Sequence, residues 1–270
     1  MNYITIGRIF LGICLIGIGV LHFIFPGIRP IIVPDDTQIS SSLYWMVYAT
    51  AILLIGSGVL ICMNKQVLIV SLIVAIAFFF LFAFAHLPAY LSAADRAGKL
   101  KYWVNLNKTL ALSGGFLILA SVEAKRAGLT KFLSAIKIMS VTGRWFFGIM
   151  LFLFGIGHLL STAALSAMVP SYIPFATFWT FVGGIILVGS ATSFFINYKM
   201  RITGFVLAVT LFIWLLTLHL YYAFLSPQWQ EGENFIGVLT CLAFCGTALL
   251  ISRSANISST VKSNEILITA

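Results

Sequence analysis

Residues 7–22 read GRIFLGICLIGIGVLH, and residues 143–158 read GRWFFGIMLFLFGIGH. Both stretches are apolar except for an arginine near the start and a histidine at the end, and they share the pattern G-R-x-F-x-G-I-x-L-x-x-x-G-x-x-H. Two unrelated apolar helices match leucine to leucine by chance, but they do not align arginine, glycine and histidine at one constant offset. The chain therefore predicts two copies of one membrane-spanning unit, 136 residues apart.

The similarity extends beyond this first helix. Both copies then reach a Val-Pro pair, at Val33-Pro34 and at Val169-Pro170. The second and third spans align at an offset of 133 residues, and the fourth aligns weakly at 131. The aligned pairs are Leu54/Leu187, Gly56/Gly189, Ser57/Ser190, Ala75/Ala208, Phe79/Phe212, His86/His219, Leu87/Leu220, Gly115/Gly246, Leu119/Leu250 and Ser121/Ser252. Copies with an even number of spans insert in the same orientation, so any symmetry axis should run along the membrane normal.

The composition supports a chain that lies almost wholly in a membrane. It is 61% hydrophobic and 9% charged, with a mean hydropathy of +1.07. A spanning helix needs about 20 mostly apolar residues, and eight such blocks are predicted, at about 4–25, 43–63, 67–87, 102–121, 144–163, 175–196, 202–224 and 235–252. We therefore predict an all-α integral membrane protein of eight transmembrane helices in two parallel four-helix repeats. The predicted parts are a first repeat at 1–121, a cytoplasmic amphipathic linker at 122–143, a second repeat at 144–252 and a cytoplasmic tail at 253–270.

The charges indicate an orientation. Of the sixteen Lys and Arg residues, eleven lie on the side of the two termini and five on the other. The positive-inside rule then places both termini in the cytoplasm and predicts a multi-pass protein of the bacterial inner membrane. The net positive charge is interpreted as a topology signal and a contact with lipid headgroups, and nucleic acid is not predicted as a partner. Arg8 and Arg144, at the cytoplasmic helix starts, are predicted to be phosphate-binding lipid anchors.

All four histidines of the chain occupy matched positions near the outer ends of the predicted spans: His22, His86, His158 and His219. Four interpretations remain open: a structural role, a small-molecule or quinone-like ligand, a bis-histidine haem, or a bare metal ion. Metal is the weakest of these, because no cysteine or carboxylate is near enough in sequence to complete a tetrahedral set. Only the outer-loop acids could help, and these are Asp35, Asp36, Glu231 and Glu233.

Lys108 is the other unusual residue, because it lies one or two turns inside the fourth predicted span, opposite Leu239 in the eighth. A charge inside the bilayer requires either a partner or a path by which the ammonium group reaches the surface. Since only the first copy carries this lysine, we predict that His22, His86 and Lys108 form the working ligand site. His158 and His219 are then predicted to be mainly structural.

The repeat resembles the DoxX-like family of small four-span bacterial membrane proteins. The resemblance rests on Gly19–Phe23 and Gly155–Leu159, each followed by a Val-Pro pair, on VPSYIPFATFWTFVGGIILVGS at 169–190, and on NLNKTLALSGG at 105–115. It implies the four-helix fold and an association with quinone-linked redox enzymes. The chain carries no phosphate loop, H-E-x-x-H or serine elbow, so no catalytic residue is predicted.

The leading functional prediction is a non-enzymatic, accessory membrane protein that binds a lipid-like or quinone-like molecule near the outer face and partners a redox enzyme. The alternative is a membrane electron-transfer oxidoreductase subunit that holds quinone or haem at the histidine pairs.

Overall fold

The protein is described here by a computed structural model that covers residues 2–34, 42 and 44–268, with the backbone alone for 96–98, 101, 130 and 254–268. The described residues form helices and contain no strand. The helices are α1 (Tyr3–Ile24), α2 (Tyr44–Cys62), α3 (Val67–Phe80), α4 (Leu87–Ser92), α5 (Arg96–Arg126), α6 (Leu133–Leu160), α7 (Thr162–Ser166), α8 (Ala176–Phe195), α9 (Met200–Trp214), α10 (Leu220–Leu225) and α11 (Glu233–Ile268). The acids Asp35 and Asp36 lie outside the described residues.

Seven helices in the described part of the chain are long and apolar enough to cross a membrane. They are Tyr3–Ile24, Tyr44–Cys62, Val67–Ser92, Leu133–Leu160, Ala176–Phe195, Met200–Leu225 and Trp229–Arg253. They support a helical, multi-pass membrane protein. The fourth predicted span corresponds to α5, which has 31 residues but is not among the seven. Asn105, Asn107 and Lys108 make its first half polar.

α5 and α11 lie at the centre of the bundle and pack against each other. α1 packs between α2 and α11, whereas α6 packs between α8 and α5. Glycines permit the closest approaches: a Cβ at Gly7 would lie 2.7 Å from the carbonyl oxygen of Gly246, and one at Gly143 would lie 2.6 Å from that of Gly114. α5 therefore packs closely on α6, and α11 packs closely on α1.

Several backbone features occur at matched positions. A π-helical segment at Leu81–His86 joins α3 to α4, and one at Leu215–His219 joins α9 to α10. The turns after α2 and α8 also agree, since left-handed φ angles occur at Asn64 and Gln66 (60° and 52°) and at Asn197 and Lys199 (58° and 46°). Asn64 and Asn197 are 133 residues apart, and so are Gln66 and Lys199; this equals the offset of the aligned sequences.

Both arginines predicted as lipid anchors bond to these turns. A guanidinium nitrogen of Arg8 donates to Oδ1 of Asn64, and the Arg8 side chain is buried. A guanidinium nitrogen of Arg144 donates to Oδ1 of Asn197 over 2.5 Å, and Arg144 is half-buried. Arg8 therefore links α1 to the turn after α2 by a buried hydrogen bond. Arg144 makes the matching hydrogen bond, but part of its side chain remains accessible to solvent or lipid.

The predicted linker at 122–143 is largely helical. α5 continues to Arg126, the chain reverses at Gly128 with φ of +69°, and α6 begins at Leu133. The helix therefore starts 11 residues before the predicted span at 144, because the alternation of basic and apolar residues continues directly into the apolar stretch.

Candidate functional site

The four histidines lie at one end of the bundle, here called the histidine end; the opposite end, where α1 begins and α5 ends, is called the termini end. We call α1 to α5 the first half and α6 to α11 the second half. In the first half a loop at 25–34 folds over His22 and His86, whose side chains are fully buried. Nδ1 of His22 donates to the carbonyl oxygen of Ile18 over 2.7 Å, and Nε2 accepts the N–H of Arg29 over 3.4 Å. Nε2 of His86 donates to the carbonyl oxygen of Ile31 over 3.3 Å. Both rings therefore hold the backbone of this loop.

Arg29 is the charged residue of this loop, and its side chain points into the protein interior, with 1% of it exposed. One guanidinium nitrogen donates to the backbone oxygen of Glu231 over 2.6 Å, and the other lies 3.3 Å from the Glu231 carboxylate. Further bonds reach the backbone oxygen of Gly27. Because a buried cation is costly without partners, this set of acceptors explains how the loop can carry an arginine inward.

The segment that receives Arg29 has an unusual backbone. Gln230, Glu231 and Gly232 all have left-handed φ angles, of 44°, 52° and 87°. Non-glycine residues in this region cost of order 1 kcal/mol each, so contacts must hold them there. Arg29 supplies one such contact, and the ring of Phe25 packs directly against Gly232.

Lys108 forms an ion pair with Glu233, the first residue of α11. Nζ lies 3.3 Å from Oε1, and each side chain is 13% exposed. The second carboxylate oxygen, Oε2, is buried and has no hydrogen-bond partner among the described residues. Lys108 is also close enough to His219 for an electrostatic interaction. The lysine therefore links α5 to α11 and approaches a histidine of the second half.

Two stacked pairs of aromatic rings also lie at the histidine end. Trp103 stacks on Phe154 with ring centroids 4.8 Å apart, and one turn later His158 lies parallel to Trp214 at 6.4 Å. His219 packs against α11, where a Cβ at Gly237 would lie 3.1 Å from its Nδ1. We call the residues that line this region the outer cluster; all are half-buried, and they are Trp103, Lys108, Phe154, His158, Trp214, His219 and Glu233.

The sequence-predicted residues are thus divided between two environments. His22 and His86 both bond to backbone groups of the loop at 25–34. The ion pair of Lys108 is directed to Glu233, and its charge acts on His219. Sequence reasoning did not single out Arg29. The sequence does distinguish Arg29 in one way: it is the one charged residue in the apolar loop stretch GIRPIIV, at 27–33.

The first histidine pair does not fit a haem. An axial histidine needs a ring nitrogen with a free lone pair directed at the iron, but both ring nitrogens of His22 are bonded to backbone groups. In the part of the chain that the structure describes, no three His, Cys, Asp or Glu side chains are grouped closely enough to hold a metal ion.

Comparison of the chain with family models, with curated proteins and with solved structures found no match in any of the three. The resemblance to the DoxX-like family therefore rests on the motifs in the sequence itself.

Proposed function

We propose that the protein is a DoxX-like, non-enzymatic accessory membrane protein that binds a lipid-like or quinone-like molecule in the outer cluster. The observation that carries the proposal is the mostly buried Lys108–Glu233 ion pair, which lies at the same end of the bundle as the stacked, half-buried aromatic rings. Sites for small amphipathic molecules combine an apolar, aromatic lining with a few polar groups that fix orientation. The outer cluster has both parts.

Each part of the cluster suits one part of such a ligand. The buried Oε2 of Glu233 has no hydrogen-bond donor among the described residues, so a ligand hydroxyl or a bridging water would satisfy it. The Lys108 ammonium can donate to a carbonyl or phosphate oxygen. The rings of Trp103, Phe154 and Trp214 offer flat apolar surface to an aromatic ring or an acyl chain.

This proposal shifts the working site away from His22 and His86. Their rings are fully buried and bonded to the loop at 25–34, which is the structural role left open by the sequence. His158 and His219 remain half-buried; His158 lies parallel to Trp214, and His219 packs against Gly237. We propose that these two histidines, together with Lys108, contact the ligand.

The proposed architecture has eight spans formed by a tandem duplication, with both termini in the cytoplasm of a bacterial cell and the protein in the inner membrane. The length of α5 supports the eighth span, since 31 residues extend about 46 Å at ~1.5 Å per residue. The matched π-helical segments and inner turns support the duplication. The contacts Gly7–Gly246 and Gly143–Gly114 favour an offset of 132 residues for the fourth span, and Lys108 then corresponds to Thr240 and not to Leu239.

The test is to extract the purified protein with organic solvent and to quantify quinones and lipids by mass spectrometry. We expect a molecule near one per protein in the wild type and a loss of at least tenfold in Lys108→Leu and Trp214→Ala. Lys65→Leu is the matched control, because Lys65 is exposed at the termini end. Equal retention in all four proteins would contradict the proposal.

The same preparation tests the electron-transfer alternative. A Soret absorption band that disappears in His158→Ala or His219→Ala would indicate haem bound in the second half and would favour an oxidoreductase subunit. A colourless protein that retains lipid or quinone supports the accessory role.

A further inference from the structure

Two cations from neighbouring helices lie together at the termini end. Lys125 is in the last turn of α5, and Arg144 is in α6. Both side chains are half-buried, and they are close enough to repel each other electrostatically. Like charges at short range destabilise a structure unless an anion lies between them.

The packing of the two helices explains why these side chains meet. α5 and α6 run antiparallel, and a Cβ at Gly143 would lie 2.8 Å from the side chain of Ile118. Lys125 lies two turns beyond Ile118, toward the termini end. Arg144 reaches in the same direction, because its Nε donates to the carbonyl oxygen of Ser140, one turn back, over 3.3 Å. Both side chains therefore lie on the termini side of the contact between Gly143 and Ile118, within range of electrostatic repulsion.

No acid compensates either charge within the part of the chain that the structure describes. The partners of Arg144 are neutral: Ser140, Asn197 and the sulfur of Met200. The nearest acid on α5 is Glu123, and it forms an ion pair with Arg126 at 2.8 Å. Neither Lys125 nor Arg144 therefore forms an ion pair with an acid among the described residues.

The surroundings place this pair at a membrane–water boundary. Trp145, next to Arg144, is 46% exposed and stacks on Phe195 with centroids 4.6 Å apart. Phe132 and Ile138 are 62% and 65% exposed. Tryptophan is enriched where acyl chains meet headgroups, and exposed apolar side chains of this size are stable when covered by lipid.

We propose that Lys125 and Arg144 form a binding site for a phosphate group, provided by the headgroup of an anionic phospholipid or by free phosphate. A phosphate oxygen accepts hydrogen bonds from both an ammonium and a guanidinium group and neutralises their repulsion. The site is separate from the outer cluster at the other end of the bundle. Arg8, which is aligned with Arg144 in the sequence, does not form an equivalent site, since it is buried and bonded to Asn64.

The experiment is calorimetric titration of the detergent-solubilised full chain with short-chain phosphatidylglycerol, with phosphatidylcholine and with inorganic phosphate. Lys125→Gln and Arg144→Gln are compared with Lys137→Gln, whose lysine is exposed on the same surface. One interfacial cation contributes about fivefold to the affinity for an anionic lipid. We therefore expect a fivefold loss of phosphatidylglycerol affinity in each of the first two variants and less than twofold in Lys137→Gln.

The titrations distinguish the two sources of phosphate. Binding of phosphatidylglycerol but not of inorganic phosphate supports a lipid site, and binding of inorganic phosphate that is lost in Lys125→Gln supports a soluble anion. Arg144→Gln also removes the bond to Asn197 and can impair folding, so Lys125→Gln decides the outcome. Unchanged affinity in a folded Lys125→Gln protein would overturn the proposal.

Discussion

The two halves of the bundle place matched histidines in different surroundings. In the first half His22 is fully buried, and both of its ring nitrogens are bonded. In the second half His158 is half-buried; its Nδ1 donates to Phe154, and its ring lies parallel to Trp214. The helix pattern sets where each histidine lies, but the loop above it determines what the ring can do. The first loop brings Arg29 inward, whereas the second is tied by hydroxyl groups such as that of Tyr222, which donates to Met168 over 2.9 Å.

Removal of Arg29 should have the largest effect on this difference. Arg29→Leu leaves the backbone oxygens of Gly27 and Glu231 without their buried donors. We expect a loss of about 3–4 kcal/mol in the free energy of unfolding, measured by denaturant titration in mixed micelles. The loop at 25–34 should also become open to proteolysis.

Glu231→Gln is the matched control for Arg29→Leu. The Glu231 side chain is 74% exposed. In this variant the backbone oxygen of residue 231 remains as an acceptor for Arg29. Its cost should stay below about 1 kcal/mol. If the two variants were equally unstable, the Glu231 carboxylate would be the main partner of Arg29. The position of the loop at 25–34 would then depend on the ion pair and not on the backbone hydrogen bonds.

A double-mutant cycle at Lys108 and Glu233 tests the link between the halves. Each single change, Lys108→Leu or Glu233→Leu, leaves a mostly buried charge without its partner and should cost about 2–3 kcal/mol. The double variant should cost clearly less than the sum of the single changes, since both charges are gone. Strictly additive losses in the free energy of unfolding would show that the pair is not coupled.

The matched histidines themselves give a smaller effect. His22→Phe keeps the ring volume but leaves the N–H of Arg29 buried without an acceptor, so we expect a loss of about 2 kcal/mol. His158→Phe keeps the contact with Trp214 and removes one hydrogen bond from a half-buried site, with a loss of about 1 kcal/mol or less. Thermal unfolding of the two purified variants, compared with the wild type, ranks them. A larger loss for His158→Phe would reverse the comparison.

Two glycines provide the finest test. A Cβ at Gly157 meets no atom within 4 Å, while one at Gly237 lies 3.1 Å from Nδ1 of His219. Gly157→Ala should stabilise its helix by about 0.5–1 kcal/mol. In Gly237→Ala the displacement of His219 should cancel this gain and weaken ligand retention. Equal stabilisation by both changes would show that His219 has room to move.

Much of the helical framework could be predicted from hydrophobic blocks, because a spanning helix needs a fixed length of apolar sequence. Six of the eight predicted blocks agree closely with long helices of the structure. α6 begins earlier than predicted, because its first turns alternate basic and apolar residues. α5 is helical as predicted, but its polar residues separate it from the seven strongly apolar helices.

The partners of the polar residues were harder to predict. The sequence indicates that Lys108 needs a partner, but its acid lies 125 residues away, at Glu233. Arg29 follows a span by only a few residues, which is the usual place for an exposed loop charge. Only the fold of the loop at 25–34 turns it inward, and that fold depends on contacts with His22, His86 and Glu231 that no local pattern encodes.

The packing of α1 on α11 has a consequence for how the protein is made. Gly7 faces Gly246 across that interface, so α1 docks against a helix that is synthesised much later. At about 5–20 residues per second, on the order of ten to fifty seconds of synthesis separate the two glycines. Until α11 inserts, the surface of α1 that packs on α11 is available to lipids, to membrane insertion factors or to other nascent helices.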